Sequence, residues 1–272
     1  MTPILTDRTA LLRHRARALR APALFLHEDA AAEIDERLNE VNRRFTSPAV
    51  VTGFPQVWQD RLPGAKIVPD ADELALDPGA HDLVIHALAL HWANDPVGQL
   101  VQCRRALKPD GLFLGLMFGG RTLWELRAAL AEAESATTGG LSPRVLPMAE
   151  IRDLGALLQR AGLALPVADA IPREVIYRDL PHLMHDLRAM GEANALHDRL
   201  RRPTSRALFA KAAALYPPRA DGRIAATFEI ICLTGWAPHD SQQKPLRPGS
   251  AAQSLADALA AARTGNLPKR DG

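Results

Sequence analysis

Residues 82–118 constrain the fold more than any other stretch of this chain. DLVIHALAL (82–90) is an apolar run bounded by Pro78 and Gly79 on one side and by Asn94, Asp95 and Pro96 on the other. That pattern predicts a strand buried on both faces. Asn94 or Asp95 can cap a following helix with Pro96 in its first turn. The helix carries Val97, Leu100, Val101 and Leu107, and the turn KPDG (108–111) is expected to stop it. The apolar strand LFLGLMF (112–118) comes next. Strand, helix, turn and strand at this spacing make a βαβ unit, with a parallel strand pair and a right-handed crossover.

The elements around this unit are read by the same periodicities. HEDAAAEIDERLNEVNRR (27–44) is a helix, with Ala31, Ile34, Leu38 and Val41 on one face. Pro48 to Gly53 fits a strand ending in a glycine turn, Val57 to Leu62 a brief helix, and Lys66 to Val68 a second short strand. Thr122 is expected to cap a helix through Leu123, Leu126, Leu130 and Ala133, followed by a loop over 137–147. A further helix carries Ile151, Leu154, Leu158 and Ala161, and Gly162 stops it. Val167 to Tyr177 looks extended. Leu180 to Ala195 reads as a helix interrupted only by Gly191, and Thr204 to Leu215 as another, capped by Thr204 or Ser205. IAATFEIICLTGW (224–236) is a long β-branched strand. A short Ala-rich helix near Leu255 to Arg263 and a frayed end complete the chain. Three regions result: a basic segment (1–24), one α/β domain (25–251) with a helical insertion near 180–215, and a C-terminal helix and tail (252–272).

Composition narrows the partners. Thirty-three Lys and Arg against 31 Asp and Glu are too even for a nucleic-acid binder. Cys103 and Cys232 lack metal-type spacing, which fits a reduced compartment. Charge is uneven only at the front, where Arg8, Arg13, Arg15, Arg17 and Arg20 face a lone Asp7. The segment has no apolar h-region, so it is not expected to act as a secretory signal. In composition it resembles a mitochondrial presequence. A basic solvated helix is the plainer reading, with contact to a partner or a membrane surface as the alternative.

From Asp82 onward the order of elements resembles a class I S-adenosylmethionine-dependent methyltransferase. Particular stretches resemble, more narrowly, the methyltransferase-like assembly factor family of respiratory complex I and its alphaproteobacterial relatives. They are LALHWANDP (88–96), LKPDGLFLGLMFGGRTLWELR (107–127), GGLSPR (139–144), DLGALLQRAG (153–162), RDLPHLMHDLRAMGEANAL (178–196) and ATFEIICLTGWAPHDSQQKPLRPGSA (226–251), together with FLHEDAAAEIDERLNEVNRRF (25–45). The resemblance implies a Rossmann-like, mostly parallel sheet and S-adenosylmethionine as cofactor. It also implies protein modification of the kind credited to that family, hydroxylation of an arginine on a complex I subunit. Gly53, Asp70 and Leu90 fall where the family contacts its cofactor.

Two departures stand out. Where the family has Leu-Gly-Cys-Gly-x-Gly, this chain reads Thr52, Gly53, Phe54, Pro55, Gln56, Val57. Proline and a β-branched valine thus replace glycines whose role is close approach and positive φ. Gly53 to Asp82 also spans 29 positions, room for about one βα unit of roughly 30 residues where two are needed. Either the second strand is missing and Lys66 to Val68 is the third, with Asp70 beside the adenine, or Asp70 is the ribose carboxylate and the third strand is lost. The expected fold is therefore an α/β sheet of six strands, short by one βα unit, with a helical insertion before the last strand.

Other candidate sites are weaker. His91 and Trp92 follow the fourth strand of the fold, where substrate-facing residues stand, and a packed Trp with a surface His is the competing reading. Met117, Phe118, Gly119 and Gly120 end the next strand. Two glycines there allow close approach of a substrate or partner, or make a plain turn. His81 and His86 fall on opposite strand faces, and His182 with His185 lack a third ligand, so no metal is expected. Two functions follow. In the first the chain is a methyltransferase-like pseudoenzyme with impaired or lost S-adenosylmethionine binding, acting as a protein-binding or assembly factor with a respiratory-complex subunit as partner. The alternative is an active S-adenosylmethionine-dependent methyltransferase or protein-arginine-modifying enzyme. The expected setting is the bacterial cytoplasm, with membrane association through a partner.

Overall fold

The computed structural model describes residues 4–242. Met1–Pro238 form one compact unit and His239–Gly272 a second, of which only 239–242 are described; the helix expected near Leu255 to Arg263 and the frayed end lie outside the described residues. In chain order the first unit holds α1 (Arg8–Ala18), α2 (Phe25–Val41), β1 (Pro48–Thr52), β2 (Lys66–Val68), β3 (His81–Ala87), α3 (Pro96–Ala106) and β4 (Leu107–Phe118). Then follow α4 (Trp124–Thr138), α5 (Ile151–Arg160), β5 (Ala164–Tyr177), α6 (Leu180–Ala189), α7 (Arg206–Leu215) and β6 (Ile224–Trp236). The six strands form one sheet in the order β2-β1-β3-β4-β6-β5. The first four are parallel, and β6 runs antiparallel to both β4 and β5. β2 pairs directly with β1 at the sheet edge, so the unit that the sequence lacks is missing from this end. The helical insertion, α6 and α7, lies between β5 and β6.

Strand alternation divides the core in two. Val50, Leu83, Ile85, Leu112 and Leu114 pack under α2 and α4. Ala49, Val51, Val84 and Phe113 face the other way, onto Leu100 and Cys103 of α3 and Leu154 and Leu158 of α5. Cys103 and Cys232 are buried free thiols, and burial pushes both up to about 12.

Several local expectations change. KPDG is not a loop: Leu107 already pairs with His81, and β4 starts there, kinking at Asp110 with φ +60°. Thr122 does not cap α4, whose N-cap is Leu123. Its hydroxyl instead accepts from Glu229 N (3.0 Å) and donates to Glu229 O (3.3 Å), tying the α4 entry to β6. The helix expected over 57–62 is only a 3-10 turn at Pro55–Val57. α6 ends at Ala189 and Gly191 takes φ +78°, so residues 192–196 are not helical. Asp95, Asp179 and Ser205 cap α3, α6 and α7 through side-chain acceptance of a backbone N–H. Among the described residues no helix is long and apolar enough to cross a membrane.

Candidate functional site

The parallel strands present their C-terminal ends on one edge of the sheet, where folds of this type place their sites. Thr52 Oγ1 accepts from Phe54 N (3.1 Å), and this turn directs Phe54 inward until it is 1% exposed. Trp58, just past Pro55, is buried to the same degree.

The cleft between Gly53 and Asp70 is filled by α1. The solvated basic helix expected from the sequence is solvated on one side only. Arg8, Leu11, Arg15 and Ala18 recur at helical spacing and make its inner face; Leu11 is fully buried and Arg15 is 4% exposed. Arg15 Nη1 donates to Asp70 Oδ1 at 2.6 Å and Arg8 Nη1 to Asp70 Oδ2 at 3.1 Å; Arg8 also donates to the Asp70 carbonyl. Burial raises the Asp70 carboxyl, but Arg15 and Arg8 together hold it below the usual carboxylate value. A Cβ on Gly53 would stand 2.5 Å from the Arg15 guanidinium carbon, so no room is left beside that glycine. Arg15 also lies over the Phe54 ring, 5.9 Å from its centroid, and His27 of α2 packs on the same ring at 4.4 Å.

One step further along the strand ends, Glu192 gathers the residues after β3. Its Oε2 accepts from Trp92 Nε1 at 2.8 Å and lies 3.3 Å from His91 Nε2. Glu192 and His91 are both buried. Burial opposes ionisation of Glu192, yet His91 first and then Arg15 hold its carboxyl below the ordinary range. Beyond Glu192 opens a cavity of about 370 Å³ between the sheet edge and the helical insertion. Trp92, Phe118, Leu126, Met184 and Phe209 contribute to its apolar lining, and Arg144, Arg188 and Arg199 to its polar part.

The residues singled out from sequence do not converge. Trp92 and Phe118 line the cavity, whereas Gly53 and Asp70 border the cleft filled by Arg15. Leu90 and Met117 pack into the core under α3 and α5. Gly119 and Gly120 admit the carboxylates of Glu229 and Glu150, so the close approach they allow is made by this chain's own side chains. His91 is not at the surface but buried against Phe118. His81 meets Ser47 O at 3.1 Å and His86 meets Gln99 at 2.7 Å, on separate faces. His182 packs edge-on against Tyr177. Among the described residues no group of three or more His, Cys, Asp or Glu could hold a metal ion. Sequence reading missed Arg15, His27 and Glu192. The spacing of Arg8, Leu11 and Arg15 was a usable signal for the first; Glu192 lies a hundred positions from Trp92 and had none.

Residues 33–115 match the family model described as a methyltransferase domain, a range that includes the altered glycine turn and Asp70. The chain is 41% identical over 202 residues to the mitochondrial arginine-hydroxylase NDUFAF5 of Danio rerio (72% of this chain, 62% of the relative). It is 42% identical over 199 residues to the protein of the same name from Rattus norvegicus (72% and 58%). It thus spans about three fifths of the length of these relatives. Among solved structures, YcgJ from Bacillus subtilis aligns at TM-score 0.48 and 10% identity, over 75% of this chain and 97% of that one. The expectation of a cytoplasmic chain is corrected by these matches, since the relatives are mitochondrial proteins by name. The chain thus has a mostly parallel α/β sheet, matches a methyltransferase domain over residues 33–115, and is similar over 72% of its length to a protein named arginine-hydroxylase NDUFAF5.

Proposed function

We propose that this protein binds a protein partner and has lost S-adenosylmethionine binding, so that it acts as an assembly-type factor and not as a methyltransferase. One observation carries the reading: the Arg15 guanidinium stands against Gly53 and is ion-paired with Asp70, the two positions the family resemblance assigns to the cofactor. Each Asp70 oxygen already takes an arginine N–H and the carboxylate is buried, so the two guanidinium groups stand where ribose hydroxyls would have to approach it. Pro55 offers no N–H and Val57 brings a branched Cβ where glycines admit the methionine end. The cavity beyond Glu192 supports the second half of the reading. It is concave, lies at the strand ends and is largely apolar with a few polar groups, as binding sites on such sheets are. The relatives' name, arginine-hydroxylase, taken with the family resemblance, makes an arginine-bearing segment of a respiratory-complex subunit the partner expected there.

Titration calorimetry of the full chain with S-adenosylmethionine tests the first half: no saturable heat is expected, and a micromolar Kd would overturn it. Affinity capture with a Phe209→Asp control tests the second. A complex I subunit identified by mass spectrometry should be enriched with the wild type and lost with the variant. Equal recovery, or none, goes against it.

A further inference from the structure

The N-terminal segment does more than fill the cleft. Residues 4–18 are tied at one side to the sheet edge and at the other to the stretch 192–200, which forms part of the cavity wall. On the sheet side Arg8 and Arg15 hold Asp70, while Asn94 Oδ1 accepts from Leu5 N (2.9 Å) and Thr6 N (2.8 Å). On the wall side Thr6 and Leu196 form an antiparallel bridge. Asp7 N donates to Ala195 O and His197 N to Leu5 O, each at 2.8 Å. Arg199 Nη2 donates to Asp7 Oδ2 at 2.9 Å, and His14 Nδ1 lies 3.2 Å from Ala193 O. Leu11 packs with Trp92 and Leu146, which line the cavity, and with Ala195 and Leu196.

Charge runs along the same path. Arg15 lies between two buried carboxylates: it ion-pairs with Asp70 and its field favours ionised Glu192. Arg15 Nε and Glu192 Oε1 are each buried without a hydrogen-bond partner. A buried carboxylate that loses its cation is costly, so these groups stand or fall together. The segment 192–200 has no regular secondary structure apart from the bridge at Leu196; besides the bonds of Glu192 to Trp92 and His91 and of Asn194 to Pro143 O, its tertiary hydrogen bonds come from the N-terminal segment.

We propose that α1 is an internal ligand of the cleft beside Gly53 and Asp70, and that its docking, instead of a bound nucleoside, orders the wall of the cavity over residues 192–200. The inference rests on the reading that α1 holds this cleft. It makes the cavity a preformed partner site that depends on the chain's own N-terminal segment and on no small molecule. A segment that releases α1 would therefore dissolve the wall as well as uncover the cleft.

Hydrogen exchange of the full chain, read by mass spectrometry, tests this. Arg15→Met keeps the aliphatic stem and removes the charge. Amides of 192–200 should exchange at least about tenfold faster, while β3 and β4 change less than about twofold. Arg15→Lys should restore most of the protection. Asn94→Ala provides a second variant should Arg15→Met fail to fold. Its hydrogen bonds reach Leu5 and Thr6 and not the wall, so acceleration at 192–200 can arise only through the docked N-terminal segment. Unchanged exchange at 192–200 in the folded variants, or equal acceleration across the whole sheet, overturns the proposal. Micromolar S-adenosylmethionine binding in the calorimetry would refute the functional reading while leaving the exchange data to decide the coupling.

Discussion

Gly191→Ala probes how closely α1 approaches the helical insertion. Gly191 holds φ +78°, and a Cβ there would stand 2.9 Å from Phe54 Cζ, 3.1 Å from Arg15 Cγ and 3.4 Å from Arg15 Cα. Two costs follow. The left-handed backbone conformation costs alanine about 1–2 kcal/mol. Forcing a methyl against a ring and a buried stem adds about 1–3 kcal/mol, since both neighbours are fixed by packing. The smaller conformational freedom of alanine in the unfolded chain returns about 0.5–1 kcal/mol. The net expectation is a loss of about 1–4.5 kcal/mol, centred on about 3 kcal/mol. Gly222→Ala isolates the backbone part, because Gly222 has φ +77° and nothing within 4 Å of its would-be Cβ. It should cost about 1 kcal/mol. Urea unfolding of both variants, analysed with a common m-value, reads the difference directly. If Gly191→Ala is no more destabilising than Gly222→Ala, α1 and Phe54 are not packed on this glycine, and the account of the filled cleft fails.

Two further outcomes concern acid. His27 is buried beside Phe54, and burial lowers it to about 4 from 6.5, with Arg15 and His91 acting in the same direction and Glu192 against. Because the folded value lies below the unfolded one, the unfolded chain takes up the proton first. Stability should be full above pH 6.5 and fall between 6.5 and about 4, by about 3 kcal/mol in total. Urea midpoints across that range check it, and His27→Phe should flatten the curve. Glu134, whose carboxylate takes a bidentate pair from Arg144 (2.9 and 2.7 Å) and two bonds from Ser142, is lowered to about 2. Its contribution persists above pH 4.5 and is lost as the pH falls toward 2. Glu134→Ala leaves Arg144 at the cavity without its carboxylate, and should cost about 3 kcal/mol in thermal or urea unfolding.

Local chemistry accounts for what could be read from the chain. Of the run DLVIHALAL, Asp82 to Ala87 made a buried parallel strand because a largely apolar stretch is solvated on neither face, and the chain leaves the sheet at Leu88, which has φ +43°. Asp95 with Pro96, and Ser205, started helices because an acceptor side chain and a fixed φ act within one turn. Failures occurred where partners are distant. Thr122 had the chemistry of a cap, but its hydroxyl was claimed by the β6 backbone. Gly119 and Gly120 had the chemistry of a ligand approach, but their open sides met Glu229 and Glu150.

The sequence by itself determined the sheet, the shortage of one βα unit and the damaged glycine turn, since periodicity, length and glycine content are properties of the chain alone. The tertiary structure alone decided what occupies the cleft beside Gly53 and Asp70. Arg8 and Arg15 are ordinary surface residues by composition. They become buried counter-charges only because folding brings α1 against Asp70, 55 positions beyond Arg15. Likewise Glu192 gains its place beside Trp92 from the way the insertion folds back over the strand ends. A buried ion pair between distant residues leaves no periodic trace in the sequence, because what selects it is the cost of leaving either charge unpaired in the folded interior.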